Sequence, residues 1–265
     1  MQKRHSDRIA YFKMQAEVCE KVIIPLLSPF IDINKKQKLL EIGCGEGGNL
    51  LPFVKRQWTC TGIDISSSRI TDGKKIYETF NLNNAPHLIV GDVCDLQPND
   101  TYDVIIARDV LEHLPCQNNF LKNIDRFLSD NGMIFINFPP WFSPFGGHQQ
   151  ICKNKILSHL PYIHLLPYHT YKKLLQLFGE NEIIINDLLE IYDTRITTEK
   201  FKHTLKDSNL NIIWERYYII NPAFKIKFNM KSLKLFFPFN KIPFFRDFIT
   251  TGYYVILKKK NQLAM

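Results

Sequence analysis

The chain has no Cys-x-x-Cys pair, no long apolar run, no internal repeat and no low-complexity segment. Its six cysteines (Cys19, Cys44, Cys60, Cys94, Cys116 and Cys152) are scattered. That excludes a zinc or disulfide framework and reads as reduced thiols in a cytoplasmic protein. No stretch of about 18 uncharged apolar residues occurs, so no segment is expected to span a membrane. The first eight residues are basic, but Lys13, Glu17, Glu20 and Lys21 interrupt the next stretch, so no signal-peptide apolar core is present. What is there is 265 residues, 45% hydrophobic, enough for one large domain or a domain with an appendage.

The net charge of +8 is unevenly placed. Residues 195–260 hold 14 Lys/Arg against 4 Asp/Glu, leaving 20 against 22 elsewhere. Such a surplus makes a solvated face or attracts an anionic partner. Within it, residues 224–248 interleave Lys225, Lys227, Lys231, Lys234 and Lys241 with aromatics. Two roles fit: a lid packed on a sheet with its lysines solvated, or peripheral contact with an anionic membrane surface or lipid-linked acceptor. No nucleic-acid-binding module is visible.

Along the chain, helical spacing over residues 7–30, with a kink or end at Pro25, gives way to alternating strands and helices. Strands are expected at 38–43, 59–64, 87–92, 102–107 and 133–138, and later at 211–220 and 253–258. Helices are expected at 49–55, 66–80 (capped by Ser66), 117–128 and 198–208. Alternation at this pitch implies an α/β fold with a parallel sheet covered by helices on both faces. The ligand crevice of such a sheet lies at the carboxyl ends of its strands. The pattern breaks after Phe138. Residues 139–194 are rich in proline, histidine and aromatics, and read as a folded insertion over the crevice. The division expected is an N-terminal helical cap (1–36), a cofactor-binding core (37–138), a substrate-lid insertion (139–194), and a segment completing the core sheet with its basic aromatic stretch (195–265).

At the first strand's end stands Glu41-Ile42-Gly43-Cys44-Gly45-Glu46-Gly47-Gly48, with Asp64 about 20 residues on. Gly43, Gly45 and Gly48 satisfy GxGxxG, which alone fits a dinucleotide site. Glu41 discriminates. A carboxylate at the mouth of the loop repels a pyrophosphate and attracts the sulfonium and ammonium of S-adenosylmethionine.

The chain resembles the class I S-adenosylmethionine-dependent methyltransferases over roughly residues 37–138. Leu39–Gly47 resembles the family's first motif. Gly62-Ile63-Asp64-Ile65-Ser66 resembles the second, whose acid holds the ribose hydroxyls. Gly91-Asp92-Val93 resembles the third, whose acid meets the adenine amino group. Tyr102–Leu114 resembles the fourth. The resemblance implies a three-layer Rossmann-like sandwich with a seven-stranded, mostly parallel sheet whose last strand is antiparallel. It implies S-adenosyl-L-methionine as cofactor, S-adenosyl-L-homocysteine as product and no metal. The implied cofactor-binding residues are Glu41, Gly43, Cys44, Gly45, Gly47, Asp64, Ile65, Asp92, Val93, Ala107 and Arg108.

The expected reaction moves a methyl group to an oxygen or nitrogen of a small-molecule, glycan or lipid-precursor acceptor. Alternatives are a cofactor-binding protein without catalysis, or an NAD-dependent oxidoreductase, which Glu41 disfavours. His148, after a Gly146-Gly147 hinge, and Asp109 are the candidate bases. His113 reads as a packed helix-start residue; His164 and His169 have weaker positions. Trp141, Phe142 and Phe145 either wall a substrate pocket or form the insertion's own core. Asn137-Phe138-Pro139-Pro140-Trp141 resembles the Asn-Pro-Pro-aromatic motif of amino-methylating nucleic-acid enzymes, but Phe138 intervenes and the segment follows the fifth strand.

Overall fold

The computed structural model describes residues 7–95, 97 and 100–260. Residues 1–6 of the expected cap and 261–265 of the expected C-terminal segment lie outside the described residues. In chain order the strands are β1 (Lys38–Ile42), β2 (Thr59–Asp64), β3 (His87–Val90), β4 (Tyr102–Arg108), β5 (Leu128–Phe138), β6 (Leu210–Ile220), β7 (Leu233–Lys234) and β8 (Gly252–Lys259). The helices are α1 (Arg8–Val18), α2 (Ile24–Leu27), α3 (Leu51–Lys55), α4 (Ser67–Glu78), α5 (Gln117–Asn123), α6 (Lys155–His159), α7 (Tyr168–Leu177), α8 (Glu182–Thr194), α9 (Thr198–Lys206), α10 (Phe224–Phe228) and α11 (Phe245–Phe248).

One sheet runs in the order β3-β2-β1-β4-β5-β8-β6-β7. Strands β1 to β5 pair in parallel. Strand β8 lies antiparallel between β5 and β6, as expected of the last strand. The count is eight rather than seven because β7 adds two residues at the edge beside β6. Strand β5 also begins earlier than expected, at Leu128, where a helix end and a turn were read.

The central strands alternate between two cores. Leu39, Val104, Ile106, Met133 and Phe135 face one core, with Phe12, Phe53, Ile70 and Tyr77 from α1, α3 and α4. Leu40, Ile105, Ala107, Ile134 and Ile136 face the other, with Phe120, Leu121, Phe201 and Leu205 from α5 and α9. Burial on both faces is why these strands read as nearly continuous apolar runs. Each fully buried Leu, Ile or Phe contributes about 1.5–3 kcal/mol, and that rigid sheet fixes the crevice at its carboxyl edge.

The N-terminal helix widens into a π turn at Cys19–Ile23, just before Pro25, which has no N–H to donate. It then continues as α2 to Leu27, so Pro25 sits within the helical run rather than ending it. Helix α1 packs on the loop after β1: a Cβ at Gly48 would lie 2.6 Å from the Phe12 carbonyl oxygen. Residues 139–194 build a third core from Trp141, Tyr171, Ile185, Leu188 and Tyr192.

The cysteines correct the expectation of reduced thiols throughout. Cys94 and Cys116 form a disulfide; Cys19, Cys44, Cys60 and Cys152 are free and buried. The loops after β3 and β4 meet at the carboxyl edge and bring the two Cα atoms to 5.9 Å, within disulfide reach. A separation of 22 residues carries no local signal of that meeting. Among the described residues, no helix is long and apolar enough to cross a membrane.

Candidate active site

The loop after β1 takes left-handed backbone at Gly43 (φ +65°), Gly45 (φ +57°) and Gly47 (φ +79°). L-residues avoid this region, and Gly43 has a second constraint: a Cβ there would sit 2.4 Å from Val110 Cγ2. Asp64, 7% exposed at the end of β2, anchors the loop. Its carboxylate accepts the Gly45 N–H at 2.7 Å and the Ser66 N–H at 2.9 Å. Each oxygen keeps a lone pair for a further donor. Ser66 caps α4 as expected, accepting from the Arg69 N–H.

Glu41 is 1% exposed. Asn49 donates from Nδ2 to its Oε1 at 2.5 Å, and Arg108 donates from Nη1 to Asn49 Oδ1 at 2.7 Å. Glu41 Oε2 is buried without a hydrogen-bond partner among the described residues. Burial pushes the carboxyl up to about 8, outweighing the Asn49 hydrogen bond and the Arg108 charge. The Arg108 side chain is 6% exposed and lies between Asn49 and Asp109, so it links the two.

Cys44 shapes the loop from inside. Its N–H donates to the Ile63 carbonyl at 3.0 Å, and its sulfur would be 2.7 Å from a Cβ at Gly62. Glu46 is fully buried and paired with Arg69 at 3.0 Å and Arg8 at 2.5 Å. Burial disfavours its charge, but those cations hold it below the usual carboxylate value. The loop is thereby tied to α1 and α4.

The other cofactor candidates line the same edge. Ile65 projects 72% exposed beside Asp64. Asp92 is exposed and accepts the Cys94 N–H at 2.8 Å through one oxygen. Val93 packs partly into the second core. Ala107 is fully buried, so its side chain serves the core and its backbone alone reaches the edge.

Beyond β4, Asp109 takes φ +53°. Its N–H donates to the Asn137 carbonyl at 2.9 Å, and its Oδ1 accepts from Asn137 Nδ2 at 2.7 Å. Glu112 comes next, in a short turn over Leu111–His113. It is 1% exposed, and neither carboxylate oxygen has a hydrogen-bond partner among the described residues. Burial first and the Asp109 charge second hold this carboxyl well above its ordinary value. His148 comes from the loop after β5. Its Nε2 lies 3.6 Å from Glu112 Oε1, and its ring meets that of His113 edge-on at 5.1 Å. Burial, then the neighbouring His113, lowers His148 to about 3, so its imidazole is neutral.

Both candidate bases thus reach the same end of the crevice. Gly146 and Gly147 are not the flexible hinge expected. A Cβ at Gly146 would be 2.4 Å from the Pro140 oxygen, and one at Gly147 would be 2.3 Å from His164 Cβ. Close packing requires glycine there and holds His148 firmly. Trp141 belongs to the insertion's own core, packed edge-on against His164 and Tyr192. Phe142 packs partly against the same core and stacks on Phe248 at 5.0 Å, and Phe145 is half-buried. His164 is fully buried and bonds the Trp141 carbonyl through Nε2, a structural role. Sequence reasoning passed over Asn49, Arg69 and above all Glu112. The available signal was Glu112-His113 on the turn leaving β4, with a further histidine on the turn leaving β5.

A family model described as a methyltransferase domain matches residues 12–181. Among curated relatives, the chain is 27% identical over 132 residues to a probable (S)-tetrahydroprotoberberine N-methyltransferase 2 of Papaver bracteatum, covering 48% of this chain and 37% of that protein. It is 28% identical over 120 residues to the ubiquinone biosynthesis O-methyltransferase of Rickettsia felis, covering 44% and 47% respectively. The chain thus spans less than half the length of these relatives. Among solved structures, magnesium protoporphyrin IX methyltransferase from Synechocystis PCC 6803 with bound SAH superposes with a TM-score of 0.54 at 13% identity, over 93% of this chain and 84% of that one. PKMT2 from Rickettsia typhi, in complex with AdoHcy, gives 0.52 at 19% over 86% and 49%. These likenesses are of fold.

Proposed function

The chain belongs to the methyltransferase-domain family, and from that premise we propose that it transfers the methyl group of S-adenosylmethionine to an oxygen or nitrogen of a small-molecule, glycan or lipid-precursor acceptor. The observation that carries this reading is Glu41: a buried carboxyl with one oxygen unpartnered, beside a loop of left-handed glycines. An arriving ammonium draws out the charged form of this carboxyl and satisfies that oxygen, whereas a pyrophosphate brings no positive group to do so. Asp64 keeps a lone pair on each oxygen for the ribose hydroxyls, Ile65 offers an exposed apolar face to the adenine, and Asp92 keeps an oxygen open beside it.

The donor, when bound, supplies a methyl group already activated by the sulfonium. This chain's residues align the acceptor, exclude water and manage its proton. Asp109 is the better placed proton acceptor, because its half-exposed carboxylate is held at the strand ends by Asn137. The lowered basicity of His148 makes it a poor proton acceptor. Residues 139–194 act as the lid. The relatives' names, one an N- and one an O-methyltransferase, support a small-molecule acceptor.

Calorimetric titration tests the reading. S-adenosylmethionine and S-adenosylhomocysteine should bind and NAD should not compete; no binding of either sulfur compound overturns it. Labelled methyl donor and cell extract should then yield a labelled product, which excludes a binding protein without catalysis.

The basic aromatic stretch supports a location for the acceptor. Phe236, Phe237, Phe239, Ile242, Phe244 and Phe245 are 37–76% exposed, among lysines Lys231, Lys234 and Lys241. The patch is pinned in place by Asp247, which accepts from the Thr198 N–H at 2.9 Å and from its hydroxyl at 2.6 Å. Exposed rings with lysines fit an anionic membrane interface, at about 1 kcal/mol per lysine near the surface. The protein should sediment with phosphatidylglycerol vesicles and not with phosphatidylcholine vesicles. Phe236→Ser with Phe237→Ser should weaken that association, and equal behaviour toward both vesicles would refute it.

A further inference from the structure

We propose that Glu112, His113 and His148 hold a divalent first-row transition-metal cation at the acceptor end of the crevice, whose open positions take the oxygen of a hydroxyl-bearing acceptor. The inference rests on the methyltransferase reading, and departs from the sequence expectation of no metal. It begins with geometry. One donor atom from each of the three side chains lies within 4.8 Å of the other two. Two imidazole nitrogens and a carboxylate oxygen are a donor set that suits zinc and its first-row neighbours, and three protein ligands leave positions for substrate.

The second observation is independent. Glu112 is 1% exposed and both its oxygens lack a hydrogen-bond partner among the described residues. A buried carboxylate without donors is costly, and a cation supplies what is missing. Asp109, close by on the same turn, adds a second negative charge to its surroundings.

The ligands are also held before any ion arrives. The Glu112 carbonyl accepts from the Thr194 hydroxyl at 2.5 Å. His148 takes φ +56°, its N–H donates to the Phe145 carbonyl at 3.0 Å, and the close-packed Gly146-Gly147 precedes it. Finally, the cluster sits where the acceptor must. Val110, two residues before Glu112, packs against Gly43 of the loop that receives the donor.

A cation here ligates the acceptor hydroxyl and lowers its pKa, as zinc lowers that of water from 15.7 to about 7. In the transfer the hydroxyl proton passes to the Asp109 carboxylate and on to solvent, and an oxygen lone pair forms the bond to the methyl carbon. The electron pair of the broken carbon–sulfur bond remains on sulfur. This narrows the acceptor from oxygen or nitrogen to oxygen.

The test uses the full chain, stripped with EDTA and dialysed. Titration with Co2+ should develop visible d–d absorption that saturates at one equivalent, and Zn2+ should displace it. Glu112→Gln and His148→Ala should each lower the affinity at least as much as loss of an outer-shell partner does, roughly 10–100-fold. S-adenosylhomocysteine titration of the same variants keeps the two readings apart. Unchanged affinity there, with Co2+ binding lost, supports the metal site. Wild-type protein that binds S-adenosylhomocysteine but takes up no Co2+, or variants that bind Co2+ as the wild type does, overturn the metal site and leave the methyltransferase reading intact. Failure of the wild type to bind S-adenosylhomocysteine overturns both.

Discussion

Glu41, at the end of β1, and Glu112, in the turn after β4, are both about 1% exposed, yet their surroundings differ. Glu41 is met by Asn49 and, through it, by Arg108, with one oxygen left over. Glu112 has no hydrogen-bond donor on either oxygen among the described residues and two histidines nearby. On the readings proposed above, the first environment suits the single ammonium of the donor, and the second suits a cation bound to several ligands at once. Burial raises both carboxyls, so the difference lies in partners and not in depth.

The two ends of the crevice should come apart most clearly at Asp64. Asp64→Ala removes the acceptor of the Gly45 N–H together with the proposed ribose contacts. At about 1.5–3 kcal/mol per charged hydrogen bond, S-adenosylhomocysteine affinity should fall roughly 10²–10³-fold by calorimetry. Co2+ uptake at Glu112 should be unaffected; joint loss would mean that the two ends are one structural unit.

Glu41→Gln isolates the donor half. Glu41 titrates near 8 in the free protein, so it is mostly neutral at pH 7. Binding a cation favours its charged form and draws its pKa down, so binding near pH 7 should release a proton. The observed heat should therefore depend on buffer ionisation enthalpy, and the Gln variant should lose most of that dependence along with about 10-fold in affinity. Stability has its own pH dependence. A folded pKa raised above the unfolded value favours the fold at low pH, and that contribution fades as pH rises from about 4.5 through 8. Thermal melts of the ligand-free Gln variant should show a shallower decline, because Glu112, raised in the same sense, keeps its own share.

The smallest effect belongs to the contact between insertion and tail. Phe248→Ala removes the stack on Phe142 and should cost about 0.5–1.5 kcal/mol in urea unfolding, with donor affinity unchanged.

The donor half was legible in the sequence because its chemistry is local. Glu41, the glycines and Asp64 sit where a strand stops and a turn starts, and short apolar runs mark the central strands. The acceptor half was not. Glu112 and His148 are 36 residues apart in the chain, and their meeting depends on β4 and β5 lying side by side. Neither residue type reveals burial, and His113 beside Glu112 read as packing. The glycines before His148 pointed to motion when read locally; their tight contacts with Pro140 and His164 depend on the folded insertion. Arg246 and Asp247 had the same obscurity, since their partners Glu199 and Thr198 lie on α9.

The bond between Cys94 and Cys116 has a topological meaning. It closes the chain into a covalent ring that contains all of β4, then Asp109, Glu112 and His113. Even with the sheet melted, the strand that leads to Asp109, Glu112 and His113 stays tethered to the loop bearing Asp92. For a ring of about this size the lost freedom of the unfolded chain is worth on the order of 3 kcal/mol in the chain-entropy picture. The segment with the most exacting geometry is therefore also the one whose unfolded state has the least room to wander.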